Sequence, residues 1–378
     1  MELSYNNIEL FVKPIFNYVS LNGFNLHHLK ALILIVYGIV HGQSLQYANI
    51  ARPLPVDTNH RDTKKRIYRF MNNKDIDIGV LMSCWCRFIV GLLYGCRRII
   101  CYVPVMVDIT WVNGEKYLKA AIPFLSRSIA ILFHRFTDDD VRKTTSQNDI
   151  EELFFLQIRC LLWEYKVVII GDRGFRRASL LAFFRREGLH YVIRLCGNVW
   201  LSTSKEAREQ YSGILGNISL REGQRKYMRN VLLQQTLGVT THIVMGKIKS
   251  KKGKKIDPWY IATDLEDLDK AYGYYEKRMW IEEMFRDLKS RFHWCEYKAE
   301  TPEAREALTF CLMISYTIVL FLDHQVQKTN QEPLVASYGK SSITWLGINF
   351  LKHRKASSNT LFRQVRRHFG LVADEMAA

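Results

Sequence analysis

The chain has 378 residues, of which 48% are hydrophobic and 24% are charged, and its formal net charge is +17. This length allows two or three domains, and the composition excludes a disordered protein. The positive charge indicates a polyanionic partner, for which nucleic acid is the first candidate, although charge alone also fits a ribosome-associated or membrane-surface protein. The eight cysteines form no CxxC pair, the start MELSYNNIELF lacks the features of a signal peptide, and the apolar runs are too short to span a bilayer. We therefore expect a cytoplasmic protein with reduced thiols and no membrane partner.

Residues 1–76 are predicted to form a helical domain that ends in a basic helix. The run HRDTKKRIYRFMNN places Lys64, Lys65, Arg66 and Arg69 beside aromatic and aliphatic residues. Short helices that end in a basic helix resemble a helix-turn-helix DNA reader. The alternative is a solvated basic face on a small bundle, but the charge of the chain favours DNA contact.

The pattern changes to that of an α/β domain over residues 77–189. The apolar run CYVPVMVDI predicts a buried strand that ends at Asp108, and KVVII predicts another that ends just before Asp172. Further strands and alternating helices in this region indicate a central sheet. Ligands of such sheets collect at the carboxyl ends of the strands, so the two aspartates can converge there.

Residues 190–264 are predicted to be rich in strands. Their strand-like runs are HYVIRL, NVWLS, YMRNVLLQQ, TTHIVMG and PWYIATD, with turn residues between them. The lysine-rich run KIKSKKGKK, which includes Lys251 and Lys252, is predicted to be an exposed loop that can contact phosphates. The chain is predicted to be helical again over 265–330, and 331–378 form a basic, helical C-terminal region.

The run YYEKRMWIEEMFRDLKSRF, at 274–292, is predicted to be one continuous helix because it has no Pro or Gly and many good helix formers. At helical spacing Tyr275, Arg278, Glu282 and Lys289 fall within an arc of roughly 60° at the edge of its apolar face. A solvated face with i,i+4 ion pairs is the alternative interpretation. Together with the two aspartates, Glu282 makes three carboxylates, which is a ligand set for hard divalent cations. Two Mg²⁺ ions about 4 Å apart can activate the attacking oxygen and stabilise the leaving oxygen of a phosphodiester.

This pattern resembles a known family. Tyr275-x(2)-Arg278-x(3)-Glu282-x(6)-Lys289 is similar to the Tyr-Arg-Glu-Lys signature of the insertion-sequence family four transposases, which are cut-and-paste enzymes with a DDE triad. The DRGF at 172–175, with Arg173, resembles the second-Asp motif of that family, and MVDIT at 106–110 resembles the first. Some members have a Trp directly after the Arg, whereas this chain has Met279 followed by Trp280.

The resemblance implies an RNase H-like catalytic domain, in two parts at 77–189 and 265–330, that is interrupted by the β-rich insertion at 190–264 and preceded by the helical DNA-binding domain. It implies that Asp108, Asp172 and Glu282 are catalytic residues that bind two Mg²⁺ ions, for which Mn²⁺ can substitute. Tyr275, Arg278, Lys289 and Arg173 are then DNA contacts. The implied partners are transposon ends, target DNA and a second copy of the chain, in a bacterial, nucleoid-associated setting. The alternatives are a metal-dependent nuclease of RNase H type and a catalytically inactive DNA-binding regulator derived from a transposase.

Overall fold

The structure is a computed structural model that describes residues 5–16, 24–55, 59–95, 102–144, 146–203, 210–233, 238–247 and 257–328. The predicted phosphate contacts Lys251 and Lys252 and the predicted basic region 331–378 lie outside the described residues. The chain is a mixed α/β protein in which one large sheet is packed between helices.

The helices lie mainly at the two ends of the described chain. Their bounds are α1 Tyr5–Phe16, α2 Leu26–Gly42, α3 Tyr47–Ala51, α4 His60–Met71, α5 Ile78–Tyr94, α6 Asp138–Thr144, α7 Gln147–Leu161, α8 Ala178–Arg186, α9 Leu268–Glu276, α10 Met279–Arg291 and α11 Pro302–Lys328. The strands are β1 Tyr102–Val112, β2 Glu115–Phe124, β3 Arg127–Phe136, β4 Lys166–Gly171, β5 His190–Leu195, β6 Trp200–Thr203, β7 Ser212–Ile214, β8 Arg225–Leu233, β9 Val239–Gly246 and β10 Trp259–Thr263.

All ten strands belong to one sheet, in the order β3-β2-β1-β4-β5-β10-β9-β8-β6-β7. Strands β1, β4 and β5 run parallel to one another, and the remaining neighbours are antiparallel. The parallel strands are apolar because helices cover the sheet there, and their central residues are buried. The carboxyl ends of β1 and β4 therefore lie at the same edge of the sheet.

The prediction that the first strand ends at Asp108 is wrong, because β1 continues to Val112. Residues beyond Asp108 pair with β2 in a tight hairpin whose turn is Asn113-Gly114. These two residues have φ values of +51° and +81°, which a two-residue hairpin turn needs and which Asn and Gly adopt at low cost. The pairing of β1 with β4, in contrast, stops at Met106, so Asp108 lies at the end of the parallel ladder.

The predicted strands between 190 and 264 are confirmed as β5, β6, β8, β9 and β10, and the short β7 adds to them. Antiparallel pairing of β10 with β5 joins these strands to the same sheet as β1 and β4. The single sheet therefore fixes the strand-rich segment relative to the edge at which β1 and β4 end.

The N-terminal helices pack against the C-terminal helix of the described chain. Helix α2 is buried along most of its length and contacts α11 as well as α1, α3 and α4. Asn25 begins α2 with a capping box, and the Asn59 side chain accepts a hydrogen bond from the Asp62 amide at the start of α4. The first 76 residues thus share their core with α11 and with α5, which packs on α1.

Two features bear on the location of the protein. The cysteines of the described residues are free: Cys86 and Cys311 are buried, whereas Cys160 and Cys295 are exposed. Helix α11 includes the segment Pro302–Leu322, which has the length and composition to cross a membrane, but 83% of its apolar window is buried inside the protein. Such burial is typical of a core helix.

Candidate active site

Asp108 on β1 and Asp172 just after the end of β4 lie beyond the end of the pairing between these two parallel strands. Met106 of β1 pairs with Ile170 of β4, and each aspartate lies two residues further along its strand direction. Because side chains alternate between the two faces of a strand, positions two residues beyond a pair point to the same face. The predicted convergence of the two aspartates is thus present at this edge of the sheet.

A tight turn after β4 sets the position of Asp172. A Cβ atom on Gly171 would lie 2.9 Å from Cδ1 of Ile193 and 3.0 Å from Cδ2 of Phe175, so any other residue before the aspartate would require these side chains to shift. The Asp172 Oδ1 accepts a hydrogen bond from the Gly174 amide (2.7 Å) and caps the 3₁₀ turn Arg173–Phe175. Arg173 itself is exposed beside the site.

The predicted continuous helix over 274–292 is wrong, because α9 ends at Glu276 and α10 begins at Met279. Lys277 and Arg278 form a turn between them in which hydrogen bonds span three residues, such as that from the Arg278 amide to the Tyr275 carbonyl (2.9 Å). Both turn residues keep right-handed backbone angles. The turn therefore ends α9 without a helix breaker and places Arg278 at the start of the helix that carries Glu282.

The guanidinium group of Arg278 joins the three predicted carboxylates. Its Nη2 lies 3.0 Å from Oδ2 of Asp108 and 3.7 Å from Oδ2 of Asp172, and its Nη1 donates to Oε1 of Glu282. Arg278 is only 8% exposed, whereas the side chains of Asp172 and Glu282 are 37% and 42% exposed. The acids of this group are thus open to solvent with the arginine beneath them, and we call the group the cleft cluster.

The acidic cluster changes the ionisation of its members. Burial raises the pKa of Asp108 to about 6; the Arg278 charge opposes this rise, and Asp172 and Glu282 add to it. Burial alone lowers the pKa of Arg278, but the attraction of the three carboxylates outweighs it and the net pKa is raised. One buried cation therefore faces three acids, and these four side chains together carry an excess of negative charge when all three acids are ionised.

Tyr275 and Lys289 occupy different depths of the site. The Lys289 ammonium donates to the hydroxyl of Thr110 on β1 (2.8 Å), two residues beyond Asp108. Tyr275 is only 3% exposed and packs edge-on against Trp259, with a ring-centroid distance of 5.0 Å. Burial raises the pKa of Tyr275, while the charges of Arg194 and Arg278 act in the opposite direction.

The donor set suits a hard divalent cation. Three carboxylates from β1, the end of β4 and α10 converge on one positive charge, which is the electrostatic condition that a cation site requires. Within the described residues, no three His, Cys, Asp or Glu side chains are arranged so that they could hold a metal ion. The residue types are those that bind Mg²⁺, but in this arrangement the carboxylates bind the Arg278 guanidinium and do not form a metal site.

Two residues beside the site were not predicted from the sequence. Thr110 is buried and binds Lys289; Lys119 is fully buried on β2, directly opposite Asp108 in the strand register. In the described part of the chain the Lys119 ammonium has no hydrogen-bond partner, and it lies 3.9 Å from the centroid of the Trp294 ring. A lysine inside the apolar run YLKAAI is the sequence signal that could have indicated it.

The predicted basic helix is α4, and its cations face solvent. Its apolar residues, including Ile67 and Phe70, are buried, whereas its basic residues are exposed. The exposed basic residues of α4 that were predicted as DNA contacts are Lys64, Lys65, Arg66 and Arg69. Of the two residues after Arg278, Met279 is 47% exposed and Trp280 packs partly against the core.

Comparison with known proteins gives one family. The model of the transposase DDE domain matches residues 116–318, which include Asp172 and Glu282, whereas Asp108 lies just before the matched segment. No curated protein sequence matches the chain. Among solved structures, the chain is similar to the piggyBac transposase in a synaptic complex with hairpin DNA. The two chains share 12% sequence identity with a TM-score of 0.45, and the match covers 96% of this chain and 84% of that one.

Proposed function

The chain belongs to the family of transposases with a DDE domain, and we propose that it cuts DNA at the ends of a mobile element and joins those ends to target DNA. The observation that carries this proposal is the meeting of Asp108, Asp172 and Glu282 at one guanidinium, since these acids come from three separate parts of the chain. The chain has 54 Lys and Arg residues and 37 Asp and Glu residues. Many of the basic residues are exposed, for example on α4, as a DNA-binding protein requires.

The proposed architecture is an RNase H-like core with an insertion. The order β3-β2-β1-β4-β5, with an antiparallel meander followed by two parallel strands, supports this core. We assign it to residues 77–189 and 265–330, the insertion to 190–264, a helical DNA-binding domain to 1–76 and a basic C-terminal region to 331–378. The Tyr-Arg-Glu-Lys spacing supports a position within insertion-sequence family four.

In the proposed mechanism Asp108, Asp172 and Glu282 would hold two Mg²⁺ ions, or Mn²⁺ in their place. When bound, such cations supply Lewis acidity for displacement at phosphorus. The protein contributes two fixed carboxylates at the sheet edge, because the backbone amides of Ile109 and Gly174 bind one oxygen of each aspartate. In the hydrolysis step water adds to phosphorus and the bond to one bridging oxygen breaks, which leaves a phosphate and a hydroxyl. In the joining step that hydroxyl displaces an oxygen of a target phosphodiester.

The DNA contacts in this proposal include residues beside the acidic cluster and basic residues elsewhere in the chain. Arg278 and Lys289 bind phosphates at the element end, together with Tyr275 and the exposed Arg173; the remaining proposed contacts are Lys64, Lys65, Arg66 and Arg69 on α4, and Lys251 and Lys252. Pairing of two ends requires two copies of the chain, so the proposed active form is a homodimer. The proposed setting is the nucleoid in a bacterial cytoplasm.

The test uses a linear duplex that carries the DNA flanking the gene. With Mg²⁺ the full chain should cleave this duplex at the element boundary and transfer the cut end into a supercoiled plasmid, and EDTA should abolish both products. Cleavage without transfer would indicate the nuclease instead. Specific binding without any cleavage would indicate the regulator.

A further inference from the structure

Each aspartate of the acidic cluster has only one oxygen that is not already bound by the backbone. Oδ1 of Asp108 accepts from the Ile109 amide (2.9 Å), and Oδ1 of Asp172 accepts from the Gly174 amide (2.7 Å). The other oxygen, Oδ2, is in both residues the atom that faces Arg278. The oxygen that the backbone leaves free in each aspartate is thus the one nearest the guanidinium, at 3.0 Å in Asp108 and 3.7 Å in Asp172.

A divalent cation and Arg278 therefore compete for the same atoms. Mg²⁺ requires carboxylate oxygens at about 2.0–2.1 Å, and a guanidinium that contacts the same oxygens from the centre of the cluster stands in its way. Repulsion between the two positive charges adds to this steric conflict. The cluster can keep its arginine or accept a cation at these oxygens.

Arg278 has an alternative partner in the proposed reaction. Its Nε is buried and has no hydrogen-bond partner among the described residues, so one edge of the guanidinium is unused in this arrangement. A phosphate would accept two parallel hydrogen bonds from such a group. The arginine also lies in the turn between α9 and α10, so its backbone belongs to neither helix.

We infer that Arg278 is an exchangeable counter-ion, which blocks the carboxylate oxygens until a DNA phosphate draws it away. This inference rests on the proposed function and adds its regulation: binding of a DNA end and binding of the cation reinforce each other. By thermodynamic linkage each ligand raises the affinity for the other by the same factor. The protein would thus assemble its metal site only where an end is bound.

The test measures Mn²⁺ affinity of the full chain without DNA, by the paramagnetic resonance signal of free Mn²⁺. Arg278→Gln should bind Mn²⁺ about fivefold or more tightly than the wild type, in the range typical of coupled sites. The matched control is Arg286→Gln, which removes an exposed arginine of α10 that pairs with Glu283, outside the cluster. Affinity of Arg278→Gln equal to or weaker than that of the control overturns the inference.

Arg278→Lys is the second variant, for use if circular dichroism shows that Arg278→Gln does not fold. A single ammonium cannot contact three carboxylates as the planar guanidinium does, so this variant should also bind Mn²⁺ more tightly than the wild type. A short duplex from the DNA flanking the gene should tighten Mn²⁺ binding to the wild type and have little effect on either Arg278 variant. Equal tightening in all three proteins contradicts the exchange.

Asp108→Asn separates this inference from the function on which it rests. If Asp108→Asn binds Mn²⁺ as well as the wild type, the metal site itself is wrongly assigned and the proposed function fails. If Asp108→Asn loses Mn²⁺ but Arg278→Gln gains nothing, the metal site stands and only the exchange is refuted.

Discussion

Helix α10 takes part in two clusters of acids and arginines that have opposite designs. In the cleft cluster one guanidinium, that of Arg278, faces three carboxylates, two of which are more than a third exposed. In the second cluster, which we call the anchor cluster, Asp287 is 3% exposed and is bound by Arg127 (2.8 Å) and Arg291 (3.3 Å). The Tyr316 hydroxyl also donates to Asp287 (3.3 Å).

The difference shows how the same chemical groups serve stability or function. The anchor cluster surrounds one buried carboxylate with two arginines and a hydroxyl that bind both of its oxygens, so it ties α10 to β3 and α11. The cleft cluster leaves its acids in excess and open to solvent, which favours a cationic ligand. Lys119 is a third case: a buried cation of the same region with no acidic partner.

Removal of a carboxylate from the cleft cluster should have the largest effect on activity. Asp108→Ala, Asp172→Ala and Glu282→Ala should each abolish Mg²⁺-dependent cleavage. The loss of activity should exceed the ~10–100-fold loss that follows removal of a residue that only hydrogen-bonds to a metal ligand. Gel-based cleavage of the flanking-DNA duplex measures this, with specific binding to the same duplex as the control that should remain nearly intact. Normal cleavage by any one variant would show that its carboxylate is not part of the metal site.

Removal of the anchor carboxylate should have the largest effect on stability. Asp287→Ala leaves Arg127 buried without its main partner, and we expect the free energy of unfolding to fall by about 3–5 kcal/mol. Glu282→Ala, on the same helix, removes a half-exposed acid from a cluster of like charges. This variant should change the free energy of unfolding by less than about 1 kcal/mol. Urea unfolding of both variants tests the comparison directly, and equal losses would mean that the two clusters are not different in kind.

The buried Lys119 should add a dependence of stability on pH above neutral pH. Burial, with the charge of Lys289, lowers the pKa of Lys119 to about 7. Between that value and the ordinary lysine pKa near 10.4, the unfolded chain binds this proton and the folded chain does not, so stability rises with pH across that window, by at most about 1.4 kcal/mol per pH unit.

Lys119→Met should remove this contribution. Its free energy of unfolding should exceed that of the wild type at pH 7, and the gap should close as the pH rises toward 10. Lys166→Met, which removes an exposed lysine at the start of β4, controls for loss of a positive charge. A gap between Lys119→Met and the wild type that does not change with pH would show that Lys119 is not held as a buried, unpaired cation.

The features that could be predicted from the sequence are those set by residues close together in the chain. Apolar strands followed by Asp108 and Asp172, and an apolar stripe beside Glu282, are local patterns, and they sufficed to bring the three acids together. The extension of β1 past Asp108 could also have been predicted, because Asn113-Gly114 is a strong hairpin signal.

Other features depend on contacts that no local pattern shows. The turn at Lys277 and Arg278 contains neither Gly nor Pro, so helix propensity predicts that the helix continues through it. Helical spacing placed Arg278 and Tyr275 on the cleft edge, yet Arg278 lies beneath the acids and Tyr275 is buried against Trp259. Their depth is set by β1, β4 and β10, whose strands meet these helices only in the folded chain.

The smallest expected effect belongs to Lys289, which lies on α10 and reaches Thr110 on β1. Its ammonium binds only the neutral hydroxyl of Thr110 among its hydrogen-bond partners, so its charge remains available for a phosphate of the element end. Lys289→Ala should weaken the complex with the flanking-DNA duplex more than the complex with unrelated DNA, and it should reduce the salt dependence of end binding by about one unit of slope. Arg286→Ala is the matched control, because Arg286 is exposed on the same helix and pairs with Glu283. Titrations at several salt concentrations measure both, and an equal loss on the two DNAs would show that Lys289 belongs to a general basic face, in which case the cleft cluster alone would define the position of the DNA end.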